Sequence, residues 1–181
     1  MEENDVITWS KNYFLKWSDF TADPNHSAFE DSSSSIKYHH TWTVHSEMVD
    51  GKIFYLIDTI NLSTLFFRHL SWVRIQNSSD ALLNHEQGHF DLAESIKPTI
   101  IQNIENKFRN KTFPTRGQNE EQRKQFAKED SGLMISAELE KWHKILSEKR
   151  HRYDIDTDYG QNIEKQMDFD ETFKKLRNSN S

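Results

Sequence analysis

The sequence predicts an α+β fold, with an antiparallel sheet in the N-terminal half and helices in the C-terminal half. Three observations predict it: a period-2 apolar alternation from Ile36, an Asp50-Gly51 hairpin dipeptide between two strand-like runs, and apolar residues at helical spacing from Leu82 onward. A chain of 181 residues suits a single domain with a real core. The expected boundaries are one folded domain over residues 1–165 and a C-terminal helical tail over 166–181.

Taken in order, the aromatic stretch Ile7 to Phe20 reads as an entry strand, followed by a turn at Asp23-Pro24-Asn25 and a polar run from Ser32 to Ser35. From Ile36, the residues Ile36, Tyr38, His40, Trp42 and Val44 share one strand face, with Lys37, His39, Thr41, Thr43 and His45 opposite. Ile53 to Leu62 is rich in Ile, Phe, Tyr and Thr, and Asp50-Gly51 joins the two runs as an antiparallel hairpin. After the apolar segment Leu65 to Ile75, Ser78 or Ser79 can cap a helix carrying Leu82, Leu83, His85, His89, Ala93 and Ile96. Pro98 is expected to end or kink it. Helical spacing resumes at Ile100, Ile104 and Phe108 and stops in Asn110 to Asn119, where Pro114 and Gly117 mark a loop. Glu120 to about Arg150 forms an amphipathic helix through Phe126, Met134, Leu139, Trp142, Ile145 and Leu146. His151 to Asn162 breaks that pattern, and Ile163 to Leu176 forms a last short helix.

Composition excludes several functional classes. Twelve Phe and five Trp supply large rings to bury, which argues against disorder despite a mean hydropathy of −0.89. A net charge of −6 leaves no basic surplus for a nucleic-acid backbone. The longest apolar runs fall far short of the roughly 20 residues a membrane span needs. No charged and then apolar leader opens the sequence, so no signal peptide is expected. With no Cys, any metal must be held by His, carboxylates or Tyr.

His85-Glu86-Gln87-Gly88-His89 is an HExxH motif within a predicted helix. Residues four apart lie about 40° apart around a helix, so both imidazoles leave one face and can share a tetrahedral Zn²⁺. Glu86, about 100° from His85, stays off the metal and near a bound water, where it can act as general base. Gly88 is costly inside a helix, which suggests close approach by backbone or substrate. Asp91 and Glu94 rotate away from the metal face, so the third ligand is expected from Tyr153 to Gly160, a stretch of three acids and two tyrosines read as a break between helices. The strand histidines 39, 40 and 45 are rival ligands.

Four ordered blocks, WSDF (Trp17 to Phe20), SWV (Ser71 to Val73), LLNHEQGHFDLAE (Leu82 to Glu94) and YDIDTDYG (Tyr153 to Gly160), together resemble the domain-of-unknown-function family 922, predicted and often secreted Zn-dependent proteases. The resemblance covers nearly all of residues 7 to 165 and implies a zincin-like architecture. That family's last block reads roughly Tyr-Asp-x-x-Thr-x-His-Gly or -Ser, and here Tyr159 stands where the His would be. The same block is similar to the Asp-x-x-Tyr-Gly signature of aspzincin peptidases. By that resemblance Asp156 ligates zinc and Tyr159 stabilises the tetrahedral oxyanion. Asp156 is the chosen third ligand, with Asp154 and Tyr159 as rivals.

The expected function is therefore a zinc metallopeptidase acting on peptide or protein substrates, with His85, His89 and Asp156 on the metal and Glu86 and Tyr159 in catalysis. The alternative is a degenerate metal-binding or protein-interaction module derived from one. The resemblance implies secretion if a leader was removed; otherwise the chain is expected in the cytoplasm.

Overall fold

A computed structural model describes residues 5–113 and 116–179. It is α+β, with five strands ahead of three helices among the described residues: β1 Val6–Thr8, β2 Ser32–Ser33, β3 Ile36–Val49, β4 Lys52–Phe67, β5 Trp72–Val73, α1 Asp80–Phe108, α2 Glu120–Thr157 and α3 Ile163–Asn178. No helix is long and apolar enough to cross a membrane among those residues.

The hairpin forms where its turn chemistry puts it. Asp50 and Gly51 both have positive φ, 51° and 73°, as a two-residue type I′ turn requires. β4 lies between β1 and β3 in a three-stranded sheet, and β2 pairs antiparallel with β5 in a separate two-stranded one. Ile36, Tyr38 and Val44 are buried while Lys37, His39, Thr41, Thr43 and His45 are exposed, so the expected strand faces hold. The entry strand is shorter than expected. Only Val6–Thr8 is strand, and the rest of the aromatic stretch is irregular, with a turn at Lys11 and Asn12 and a single helical turn at Trp17–Asp19. That coil is anchored by side chains instead: the Leu15 amide donates to Gln87 Oε1 at 2.8 Å, and the Tyr13 hydroxyl donates to the buried Asp19 at 2.9 Å.

Two helix expectations are corrected. Ser79 Oγ accepts from the Leu82 amide at 3.1 Å and caps α1, but the helix runs through Pro98 without ending. Proline removes one backbone donor, and Ala93, Ile96, Ile100 and Ile104, all buried, hold the helix on both sides of it. The Tyr38 hydroxyl also donates to the Ala93 carbonyl at 2.7 Å in the turn before. α2 does not stop near Arg150 either but continues to Thr157, so most of the acidic stretch is helical. Pro114 lies outside the described residues.

The chain divides into two compact units, Met1–Tyr38 with Ser63–Ile96 and Ile145–Ser181, and His39–Leu62 with Lys97–Lys144. In the second, Tyr55, Ile60, Ile104, Phe113, Ile135 and Leu139 are buried, and the Trp42 indole donates to Ser131 at 2.9 Å. In the first, Phe66 packs against Phe20 and Phe90, with centroids 5.2 and 5.9 Å away. Residues 166–178 belong to this unit as α3, whose Gln166 and Phe173 are buried. Arg177 of α3 ion-pairs with buried Asp91 of α1 at 2.6 Å and donates to the carbonyls of Lys11 and Tyr13. Every residue of the candidate site lies in this first unit.

Candidate metal centre

Helix α1 brings His85, Glu86 and His89 into the interior, where they are 2, 3 and 4% exposed. The helical spacing sets the two rings side by side, centroids 4.8 Å apart. Opposite them, α2 presents Arg150, Tyr153, Asp154 and Thr157, spaced three, four and seven residues on from the first and so sharing one face. Asp154 Oδ1 lies 3.1 Å from His85 Nε2 and 2.8 Å from His89 Nε2. These three residues offer ligand atoms within 4.8 Å of one another, a grouping of two imidazoles and a carboxylate.

The partners behind each ring decide where its proton sits. His85 Nδ1 faces Gln166 Oε1 and Thr157 Oγ1, each 3.3 Å away. Gln166 is held in that orientation because its Nε2 donates to Asp170 at 2.9 Å, and the Thr157 hydroxyl spends its hydrogen on the Tyr153 carbonyl at 2.7 Å. Both neighbours therefore accept, His85 carries its proton on Nδ1, and its Nε2 lone pair points at the Asp154 oxygen. Two lone pairs face one another there, an arrangement that a cation between them relieves. Tyr153 stacks flat on the His85 ring at 4.6 Å and 6°, locking its plane.

His89 is held differently. The Arg150 Nε–H donates to its Nδ1 at 3.2 Å, which leaves the His89 proton on Nε2, directed at Asp154. Coordination through Nε2 moves that proton to Nδ1, where it opposes the Arg150 donor, so the Arg150–His89 hydrogen bond and a metal on Nε2 exclude one another. Burial first, and Arg150 second, lower the His89 pKa below the usual imidazole value, against the opposing pull of Asp154 and Glu86. Burial alone would raise the Asp154 pKa, but the two imidazoles set against it, His85 and His89, outweigh it and hold the carboxyl well below its ordinary range. A neutral imidazole and an ionised carboxylate are the protonation states that metal ligation needs.

Glu86 shares a cavity of about 250 Å³ with His85, His89, Arg150, Asp154 and Tyr159. Its Oε1 accepts from the Ser32 hydroxyl at 2.6 Å, and its Oε2 is buried without a hydrogen-bond partner among the described residues. An orphaned carboxylate oxygen is costly and marks a place where a donor is meant to arrive.

No family model, curated protein or solved structure matches the chain. The chemistry of the site is therefore read from its own atoms.

Against the sequence expectations, His85, Glu86 and His89 converge as their spacing requires, but the third carboxylate is Asp154. Asp156 is exposed. Because α2 extends to Thr157, residue 156 lies about 200° around the helix from 154 and faces away. Asp158 and Tyr159 follow in left-handed backbone, φ 48° and 53°, and Gly160 continues it at 82°. This reversal sets Tyr159 at the cavity against the exposed Phe29, ring centroids 5.5 Å apart. Asp91 and Glu94 are engaged elsewhere, Asp91 by Trp9 and Arg177 and Glu94 by Thr64, and the strand histidines are outside the grouping. Gly88 makes room for side chains of its own chain. A Cβ there would meet the Tyr153 phenol and stand 3.2 Å from Phe173, so the close approach is made by α2 and α3.

Sequence reasoning missed Ser32, Ser34, Arg150, Thr157 and Gln166. A signal existed for Arg150 and Thr157: with Tyr153 and Asp154 they form a polar set at helical spacing, visible once the helix is allowed to continue. The serine run carried none, because the burial of Ser32 and Ser34 is set by tertiary packing, Ser32 within the pair with β5 and Ser34 against Arg150.

Proposed function

We propose that this chain is a zinc-dependent metallopeptidase of zincin-like architecture, with His85, His89 and Asp154 as ligands and Glu86 as general base. The observation that carries the reading is the convergence of His85 Nε2 and His89 Nε2 on Asp154 Oδ1, 3.1 and 2.8 Å away, with His85 Nδ1 backed by Gln166 and Thr157. Those two residues, with Tyr153, are the outer-shell supports that orient a metal-ligating imidazole. Zinc in this grouping supplies Lewis acidity, polarising a carbonyl and making water acidic enough to attack at neutral pH.

The chain's own groups do the rest. Ser32 fixes one oxygen of Glu86, and the orphaned Oε2 is the atom free to take a water proton. As the water oxygen bonds to the carbonyl carbon, that proton passes to Glu86, and Glu86 then delivers it to the amide nitrogen as the C–N bond breaks. Burial of Glu86 and the small cavity keep bulk solvent from competing for the proton. Glu86→Gln is expected to keep zinc at one per chain while turnover of a peptide library falls by roughly 10²–10⁴. Full turnover in that variant would remove Glu86 as the base.

The Arg150–His89 hydrogen bond, which a metal on His89 Nε2 would displace, favours a second reading, a protein-interaction module with a degenerate site. Zinc below one per chain together with no cleavage of any library peptide would support it.

A further inference from the structure

We propose that Arg150 is the group that binds the oxygen of the substrate carbonyl, and the negative charge that develops on it, in the cavity beside Glu86. This rests on the peptidase reading and replaces the role that the sequence block suggested for Tyr159.

Arg150 is built into the site. Its Nη2 donates to the Ser34 carbonyl at 2.7 Å and to the Ser34 hydroxyl at 3.2 Å, and its Nε donates to His89 at 3.2 Å. A guanidinium has five N–H donors in a rigid plane, and three are directed by these contacts. The remaining nitrogen, Nη1, has no protein acceptor among the described residues, and the residue lines the cavity with Glu86, Asp154 and Tyr159. A fixed, partly desolvated cation with an open N–H at a carboxylate-lined cavity is the kind of preorganised donor that stabilises developing oxyanions.

Tyr159 is less suited to that task. Its phenol makes no hydrogen bond among the described residues, its ring rests on Phe29, which is 82% exposed, and its backbone sits in a left-handed turn. Among the described residues nothing fixes its hydroxyl relative to Glu86, whereas the Ser34 carbonyl and hydroxyl hold the Arg150 plane whether or not His89 accepts from it. We assign Tyr159 to the outer wall of the cavity, packed with Phe29.

The charges around Arg150 give a second, independent expectation. Its neighbours are Glu86 and the ligand Asp154, so removing the guanidinium takes a cation away from the ligand grouping and also removes the hydrogen bond that competes for His89. Arg150→Met should therefore bind zinc at least as tightly as the unaltered chain, while a general collapse of the site would weaken it.

The test combines zinc titration with calorimetric binding of inorganic phosphate, a tetrahedral oxyanion, to the zinc-loaded protein, in the unaltered chain, Arg150→Met, Arg150→Lys and Tyr159→Phe. Both Arg150 variants should bind phosphate about 10- to 100-fold more weakly, the loss expected for one charge-assisted hydrogen bond, with zinc affinity in Arg150→Met unchanged or raised. Tyr159→Phe should change phosphate affinity by less than about threefold. Peptide turnover, where measured, should fall about 100-fold in kcat with little change in KM for Arg150→Met. Phosphate binding unaffected in both Arg150 variants, or weakened as much in Tyr159→Phe, would overturn the assignment and leave the zinc site standing. Failure of the unaltered chain to take up zinc would instead overturn the peptidase reading, and the role of Arg150 with it.

Discussion

At the scale of single residues, the choice between two acids two positions apart separates this site from the one its sequence suggested. Asp154 touches both imidazoles, whereas Asp156 is exposed on the far side of the same helix. Asp154→Asn should therefore weaken zinc binding by more than the roughly 10–100-fold that loss of an outer-shell partner costs, and Asp156→Asn should leave it unchanged. Competition against a fluorescent zinc chelator measures both, and equal effects would refute the assignment. The two histidines and Glu86 were legible because helical geometry follows directly from spacing. The third member of the grouping, Asp154, was legible only as a rival to Asp156, because acids and tyrosines in a row read as a turn. The helix persists there because Tyr153 and Thr157 are buried, a tertiary effect that local propensity does not contain.

At the scale of elements, the site depends on how closely α2 and α3 approach α1. Gly88 makes that approach possible, since any side chain at this position would enter the space of Tyr153 and Phe173. Gly88→Ala gains about 1 kcal/mol of helix propensity, but the overpacking costs typically 1–3 kcal/mol and disturbs the ring that stacks on His85. The expected outcome is a fall of several degrees in melting temperature together with weaker zinc binding, read by calorimetry on both forms. A stabilised Gly88→Ala protein would show that Tyr153 can move away without cost. The hairpin, by contrast, was legible in its turn and in the faces of its first strand, because Asp50-Gly51 fixed the one and alternation the other, while β4 runs past the expected Leu62 to Phe67. Of the two outcomes expected at Pro98, an end to the helix does not occur, because the buried face of a 29-residue helix carries it past the lost backbone bond.

At the scale of the whole molecule, the buried ligand grouping links stability to pH and to metal. His89 has a lowered pKa in the fold, so below about pH 6.5 the unfolded chain takes up a proton that the folded chain refuses. The metal-free protein should therefore be most stable above that value and lose stability steadily as pH falls. His40, lowered mainly by burial, adds to the loss in the same direction, and Asp154 extends it below about pH 4. Thermal melts of chelator-treated protein between pH 8 and pH 4 check this, and a flat profile from pH 7 to pH 5 would contradict it. Excess zinc at 100 times its Kd should add about 2.7 kcal/mol to the folded state, which chelation removes.

The most direct measurement is the zinc stoichiometry and affinity of the metal-free protein, unaltered and as His85→Ala. One tightly held equivalent per unaltered chain, lost in the variant, is the predicted result. No stoichiometric uptake, or uptake that ignores the loss of His85, would contradict the account.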